Sequence, residues 1–320
     1  MVSVIVTYHQ EGIQFLMECL NQIKSTIDVT DYEIIVVDDF SDVPLPSIDG
    51  VTVVRHSKNK GVGQAFDSGV SIARGENIIL TACDMRFIAN GWASKLVKVI
   101  DDNPTSLICS TCVGINKENM DFEARRKVMR CYGATILMFH DKKSNPVKSE
   151  TFRGIIEAQW MPKQPEDIYE IPCILGACYG VKKSWYNYID GWALHKTWGT
   201  LEPYISLKSW LFGGNCLIAS HIETAHIFKQ PGSPENLAHK IQQDSLIYNK
   251  ILVSKLLIPD SQRFIDFLGI NSIVIRSKAM IEQDKELIEE KRIEYQAKTV
   301  YSLNDFAEKF KIDLRNKVLA

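Results

Sequence analysis

No long apolar run interrupts this sequence. A membrane-crossing helix needs about 18 or more consecutive apolar residues; none is present, so no transmembrane segment is expected. Charge of one sign is also missing. Lys and Arg number 37 against 39 Asp and Glu, a formal net charge of −2, so no global basic footprint points to nucleic acid. The 8 cysteines lack the paired spacing of a metal or disulfide framework. Cys109-x-x-Cys112 has no second pair near it. Cys19, Cys83, Cys131, Cys173, Cys178 and Cys216 are scattered, mostly in apolar runs, as buried free thiols are. No secretory leader is expected ahead of Val2, which already opens a β-branched run. The expectation is a cytoplasmic chain in a reducing setting, with peripheral attachment to a membrane left open. Internal repeats and low-complexity tracts are absent too.

What is present is an alternation. Val2 to Thr7, Tyr32 to Val37, Val51 to Arg55 and Ile78 to Leu80 read as strands; the first is a continuous β-branched run of the kind buried on both faces, and the last an apolar run that reads as a buried strand. Between them, Ile13 to Ile27 and Gln64 to Ala73 carry helical stripes. Strand and helix alternating over about 90 residues predicts a right-handed βαβ sheet of mostly parallel strands. Trp92 to Ile100 reads as a helix and Leu107 to Gly114 as a strand. Lys117 to Arg130 is expected to be helical. Gly133 to His140 and Arg153 to Met161 read as a hairpin-like insertion around a basic loop from Lys142 to Ser149. Glu202 to Phe212 reads as a helix closed by Gly213-Gly214. Asn215 to His226 holds a strand and then a polar segment with His221, Glu223 and His226. Beyond Pro231-Gly232 the chain reads as helical, with Glu235 to Leu257 one helix and Ile281 to Lys298 another, the latter a solvated charged face.

Gly61-x-Gly63 lacks the third glycine of a dinucleotide fingerprint and does not follow the first strand, so a turn and a close helix approach are expected there. Asp84 follows the apolar run Ile78 to Leu80 after a few small residues. A carboxylate at the carboxyl end of a parallel strand lies where α/β sheets place ligands.

Several segments in one order carry a resemblance. They are Val2 to Glu11; Glu33 to Ser41 with Asp38-Asp39; Asn59-x-Gly61 through Gly75; Asn77 to Trp92; Gly176-Ala177-Cys178-Tyr179; Trp198-Gly199 through Gly213-Gly214; and His226-Ile227-Phe228-Lys229. Together they resemble family 2-type glycosyltransferases of the GT-A fold, closest to the polypeptide N-acetylgalactosaminyltransferase-like branch. The resemblance implies a Rossmann-like, mostly parallel sheet flanked by helices, with a GT-A catalytic domain over 1–230 and a helical C-terminal extension over 231–320. It implies transfer of a hexosyl or N-acetylhexosaminyl group from a nucleotide-diphosphate donor, a UDP-sugar first of all, to an acceptor hydroxyl, with Mn2+ or Mg2+. The acceptor class stays open among glycan, protein, small molecule and modified nucleic acid, and the C-terminal helices leave room for a homo-oligomer.

Residue by residue, the resemblance implies metal contact for Asp84, the last acid of the family's DxD or DxH motif, and for His226, its distant histidine. It sets Thr7, Tyr8, Glu11, Asp38, Gly61, Gln64, Cys83, Gly176, Ala177, Trp198 and Lys229 along the donor, with Asp38 at the uracil. The chain departs from the pattern at Ala82, where the first motif acid would stand. It departs again at Leu201, which aligns with the family's Trp-Gly-Gly-Glu-Asn glutamate; Glu202 follows one residue later as the candidate catalytic carboxylate.

The chemistry fits these residue types. A divalent cation offsets the charge that grows on a departing diphosphate, and Mn2+ tolerates imidazole better than Mg2+. Plainer readings stand beside each role. Asp84 can cap a helix, Asp38 can cap its turn, and His226 can be an ordinary core or surface histidine. Thr7 and Tyr8 can be loop residues, Lys229 an exposed lysine, and Glu202 a helix N-terminal acid favoured by the dipole. Trp185, Trp192 and Trp198 can each stack on a sugar or simply pack. His221 and Glu223 are reserve metal ligands. Ala82 also allows a catalytically degenerate, nucleotide-sugar-binding relative. A nucleotidyltransferase would want a glycine-rich, lysine-bearing loop after strand one, and Tyr8-His9-Gln10-Glu11 is not that.

Overall fold

The computed structural model describes residues 1–87, 89–115, 129–143, 151–228 and 242–315. The first half alternates as the sequence pattern predicts: β1 (Val2–Tyr8), α1 (Ile13–Thr26), β2 (Tyr32–Asp38), β3 (Thr52–Arg55), α2 (Val62–Ile72), β4 (Asn77–Ala82), a short β5 (Met85–Arg86), α3 (Trp92–Asp102) and β6 (Ser106–Ile115). Then come β7 (Arg130–Cys131), β8 (Ala134–Lys143), β9 (Thr151–Trp160), β10 (Ile168–Glu170), β11 (Cys178–Lys182), α4 (Lys183–Tyr188), α5 (Leu201–Leu211) and β12 (Asn215–Ile227). Five helices follow: α6 (Gln243–Leu257), α7 (Ser261–Phe267), α8 (Ser272–Gln283), α9 (Lys285–Lys298) and α10 (Leu303–Phe310).

Ten strands form one sheet, with the main order β10-β12-β6-β11-β4-β1-β2-β3; β5 pairs with β12 and β7 with β6. The run β4-β1-β2-β3 is parallel, and β6 and β12 continue in that direction, while β11 is wedged antiparallel between β4 and β6. The expected α/β architecture, mostly parallel with flanking helices, is the observed one. Side chains alternate across the sheet, as the pleat requires. Val4, Val6, Ile34 and Val36 pack with α1 and α3 on one face. Ile5, Ile35, Val37 and Leu80 belong to the other face, whose core runs through α2, the β8–β9 hairpin and α5 into the C-terminal helices. Thus α6 to α10 share one apolar core with the sheet.

Local departures have tertiary causes. Arg130, expected at the end of a helix, pairs in β7 against Val113 of β6; residues 117–128 of that helix lie outside the described residues. β8 runs on through Lys143, so Lys142 and Lys143, expected in a loop, are strand; the rest of that expected loop, 144–149, lies outside the described residues. Asn215 to Ile227 is one strand with a register shift between Ala219 and Glu223, not a strand followed by a separate segment. The helix expected from Glu235 begins at Gln243, with Gln242 before it extended; residues 235–241 lie outside the described residues. The expected helix Ile281 to Lys298 is broken at Asp284, whose carboxylate accepts hydrogen bonds from Lys196 Nζ (2.6 Å) and Tyr248 Oη (2.8 Å). Nor is α9 wholly solvated: Ile288 and Tyr295 are buried.

Candidate functional site

The end of β1 lies between β2 and β4. Tyr8 is in register with Asp38 and Thr7 with Ala82, so the carboxyl ends of three parallel strands form one edge. Thr7 and Tyr8 are buried there. The Thr7 carbonyl accepts from the Cys83 N–H (3.1 Å), and that of Tyr8 from the Asp39 N–H (2.9 Å). Burial pushes the Tyr8 phenol above its ordinary range, and the nearby Cys83, Glu11 and Asp38 add to the effect. Glu11 accepts from the His9 N–H at 2.6 Å. Asp38 is fully buried and anchors its own turn: one oxygen accepts from the Ser41 N–H (2.8 Å), the other pairs with Arg55. Arg55 also donates to the Ser41 carbonyl at 2.7 Å.

Asp39 builds the next loop. Its carboxylate meets His56 Nδ1 (2.7 Å) and accepts from the N–H groups of Lys60 (2.8 Å) and Gly61 (2.6 Å). Gly61 has φ +92°, and a Cβ there would sit 2.3 Å from the Thr197 backbone. Only glycine permits that approach. It draws in the 191–200 loop, which Gln64 ties down by donating to the Trp192 carbonyl (2.8 Å). On that loop Trp198 is 57% exposed.

The other lip of the edge is β5 against β12. Met85 is in register with His226 and Arg86 with Ala225, and the Ile227 N–H donates to the Asp84 carbonyl at 3.0 Å. This pairing brings His226 Nε2 to 3.3 Å from Asp84 Oδ2. Asp84 is buried and His226 half-buried against Phe228, ring edge to face, with centroids 4.4 Å apart. Among the described residues no group of three or more His, Cys, Asp and Glu side chains converges on one point. Among the described residues this edge therefore offers two donors, a carboxylate oxygen and an imidazole nitrogen. Such a pair fits a divalent cation that completes its shell with water and phosphate oxygens.

Glu202 opens α5 beside this pair. Tyr179 Oη donates to Glu202 Oε1 (3.0 Å) and accepts from the Ala177 N–H (3.0 Å). Burial pushes the Glu202 carboxyl up, against the pull of its own backbone N–H, the Tyr179 hydroxyl and the charge of nearby His226. Ala177 holds φ +60°, and Gly176, at φ +118°, leaves no room for a Cβ beside Cys112.

Residues 3–161 match the family model described as Glycosyl transferase family 2. Over that stretch, just under half of the chain, the sequence is similar to glycosyl transferase family 2. Polypeptide N-acetylgalactosaminyltransferase 14 of Homo sapiens is 25% identical over 239 residues, covering 71% of this chain and 41% of that protein. Polypeptide N-acetylgalactosaminyltransferase 4 of Caenorhabditis elegans is 25% identical over 252 residues, covering 74% and 41%. The chain spans about two fifths of the length of these curated relatives. A crystal structure of GalNAc-T7 with UDP, GalNAc and Mn2+ is similar at a TM-score of 0.67 and 18% identity, covering 97% of this chain and 56% of that one. S. aureus TarS 1-349 in complex with UDP-GlcNAc is similar at a TM-score of 0.52 and 14% identity, covering 96% and 80%. The expected GT-A architecture and the nearness to the N-acetylgalactosaminyltransferase branch are both borne out.

Within the matched stretch and the strands that complete its sheet, Thr7, Tyr8, Glu11, Asp38 and Asp84 gather at one edge with His226 and Glu202. Gly61 and Gln64 act on that edge through the 191–200 loop. Cys83 contributes its backbone, its thiol being buried in the core. Lys229 lies outside the described residues. His221 is exposed and Glu223 pairs with Arg130 at 2.9 Å, so neither reserve ligand joins Asp84. Of the three tryptophans, Trp192 is buried and donates to the Leu201 carbonyl (2.9 Å), and Trp185 is buried and donates to Ser209 (3.1 Å). Trp198 alone of these faces solvent. Sequence reasoning assigned no site role to Arg55, His56, Tyr179 or Arg86. Tyr179 was legible only as part of a small apolar segment, and nothing local marks the other three as partners of site carboxylates or carbonyls.

Proposed function

We propose that this chain transfers a hexosyl or N-acetylhexosaminyl group from a nucleotide-diphosphate donor, a UDP-sugar first of all, to an acceptor hydroxyl, in a metal-dependent reaction. The observation that carries the reading is the Asp84–His226 pair, distant in sequence and 3.3 Å apart at the carboxyl ends of the strands. The names of two structural neighbours, one with UDP, GalNAc and Mn2+ and one with UDP-GlcNAc, support the donor class. Asp84 and His226 would hold Mn2+ or Mg2+, and the chemistry such an ion supplies when bound is Lewis-acid neutralisation of diphosphate charge.

The remaining residues bind and orient. Thr7, Tyr8, Glu11 and Asp38 form the wall where the base would lie. Trp198 offers a solvent-facing ring to an apolar sugar or base face. Glu202 would orient the acceptor hydroxyl or accept its proton, and its raised affinity for protons suits that task. In this reading, residues 1–230 are the catalytic unit, and the helices from 231 form an extension that supports it and offers a surface for acceptor or a second copy. Eight buried, unbridged thiols favour a reducing, cytoplasmic compartment. No helix of the described residues is long and apolar enough to cross a membrane.

Thermal-shift measurement with nucleotide sugars, with and without Mn2+, tests the reading. A UDP-sugar is expected to stabilise the protein only with the metal, by about 2.7 kcal/mol at 100 times its dissociation constant. Asp84→Ala is expected to remove that response. Stabilisation without metal, or an unchanged Asp84→Ala response, refutes the metal assignment. Ala82 favours a second reading, a relative that binds donor without turning it over. Binding with neither UDP-sugar hydrolysis nor transfer would select it.

A further inference from the structure

Arg86 is the second residue of β5, and its guanidinium is almost wholly buried. Nη1 donates to the Cys83 carbonyl (3.1 Å) and to the Met85 carbonyl (2.8 Å), the two that flank Asp84. Nη2 donates to Glu18 Oε2 of α1 at 2.6 Å. The Asp84 carbonyl between them accepts from the Ile227 N–H of β12 (3.0 Å). Three successive carbonyls, those of residues 83, 84 and 85, are thus each fixed. Two are held by one side chain and the third by the strand that carries His226. The same residue is half of the β5–β12 pairing that sets His226 opposite Met85.

A buried guanidinium is an expensive way to gain stability, because desolvation offsets much of its pairing energy. Glu18 remains 58% exposed on its side chain, so solvent screens that partner. What the guanidinium supplies that an apolar side chain cannot is a rigid fork able to hold two carbonyls and a carboxylate together. We infer that Arg86 is the positioning residue of the Asp84–His226 pair: it fixes the turn that aims the carboxylate and the β5 lip that registers the imidazole against it. The inference rests on the metal and donor reading above. Outer-shell partners that orient metal ligands typically change affinity by about 10- to 100-fold when lost, and a loss of that size is the effect assigned to Arg86.

Two measurements on the full chain test this. Hydrogen–deuterium exchange without ligand reads the turn directly. Titration of MnCl2 in the presence of UDP, followed by the Mn2+ electron paramagnetic resonance signal, reads the pair. Arg86→Lys keeps the charge but cannot span three acceptors; Glu18→Gln weakens one arm at a solvent-facing position and guards against an Arg86 variant that fails to fold. Both variants are expected to speed exchange in peptides covering 83–87 and 225–227 and leave β1 and β2 unchanged. Arg86→Lys is expected to lose about 10- to 100-fold in Mn2+ affinity, and Glu18→Gln to show a smaller loss in the same direction. Wild-type exchange and affinity in both variants overturns the inference, as does a uniform rise in exchange over the whole chain, which would mark Arg86 as a general stabiliser. Localised exchange with no Mn2+ binding by the wild type supports the positioning of the turn and refutes the donor reading instead.

Discussion

His195 makes the fold's acid sensitivity predictable. Its ring is buried, with Nε2 2.7 Å from the Gly199 carbonyl and its plane stacked near Tyr204 at 6.5 Å between centroids. Burial depresses its pKa from 6.5 to about 4, the Gly199 hydrogen bond resisting and the Lys208 charge assisting. The folded chain therefore keeps His195 neutral where the unfolded chain takes up a proton. Its contribution is intact above pH 6.5 and is lost as pH falls toward 4. At about 1.4 kcal/mol per pH unit, the loss amounts to about 3 kcal/mol, a large share of a typical net stability of about 5–15 kcal/mol. Urea unfolding of the wild type and His195→Gln, followed at pH 7.5, 6.5, 5.5 and 4.5, isolates this effect, because the two chains share every carboxylate. Gln can still donate to the Gly199 carbonyl but does not titrate. The stability difference is expected to move in favour of His195→Gln by most of about 3 kcal/mol between the first and last pH. A difference that stays constant across the series would refute the reasoning. The 191–200 loop carries both His195 and Trp198, so donor affinity should weaken over the same acid range.

Two further outcomes follow from the same loop. Gly61→Ala places a methyl 2.3 Å from Thr197 backbone atoms at a φ of +92°, so neither side can yield cheaply. Strain and overpacking together should lower stability by about 2–5 kcal/mol in urea unfolding, and a wild-type midpoint would show that the 191–200 loop is not pinned there. Trp198→Ala removes a side chain that is 57% exposed, so stability should change by no more than about 0.5 kcal/mol. Donor affinity with Mn2+ should nevertheless fall about 2- to 10-fold by the worth of one stacking contact. A large stability loss or unchanged affinity would return Trp198 to a packing role.

Much of the fold was written locally. Val2 to Thr7 and Ile78 to Leu80 read as buried strands from their own residues, and that pattern needs no distant partner to be read. The same holds for Asp84, whose place after a parallel strand marks the crevice; at Gly61 the expected close approach of a helix is instead an approach of loop backbone at Thr197. Other features depend on what arrives from elsewhere in the chain. The helical pattern runs unbroken through Asp284, yet Lys196 and Tyr248 capture its carboxylate and the helix breaks. Trp185, Trp192 and Trp198 are alike in sequence, but only packing against α5 and α2 decides which two are buried. Asp38 is a carboxylate at a strand end like Asp84, yet Arg55 from the neighbouring strand engages it.

The sequence by itself determined the opening alternation of strands and helices and put a carboxylate just past the end of β4, because side-chain periodicity and strand-end position are local properties. Only the tertiary structure decided what that carboxylate meets. The β5–β12 register delivers His226 to Asp84, and Arg86 pins the turn between them. These contacts join residues far apart in the chain, and no local pattern encodes a register set by the whole sheet.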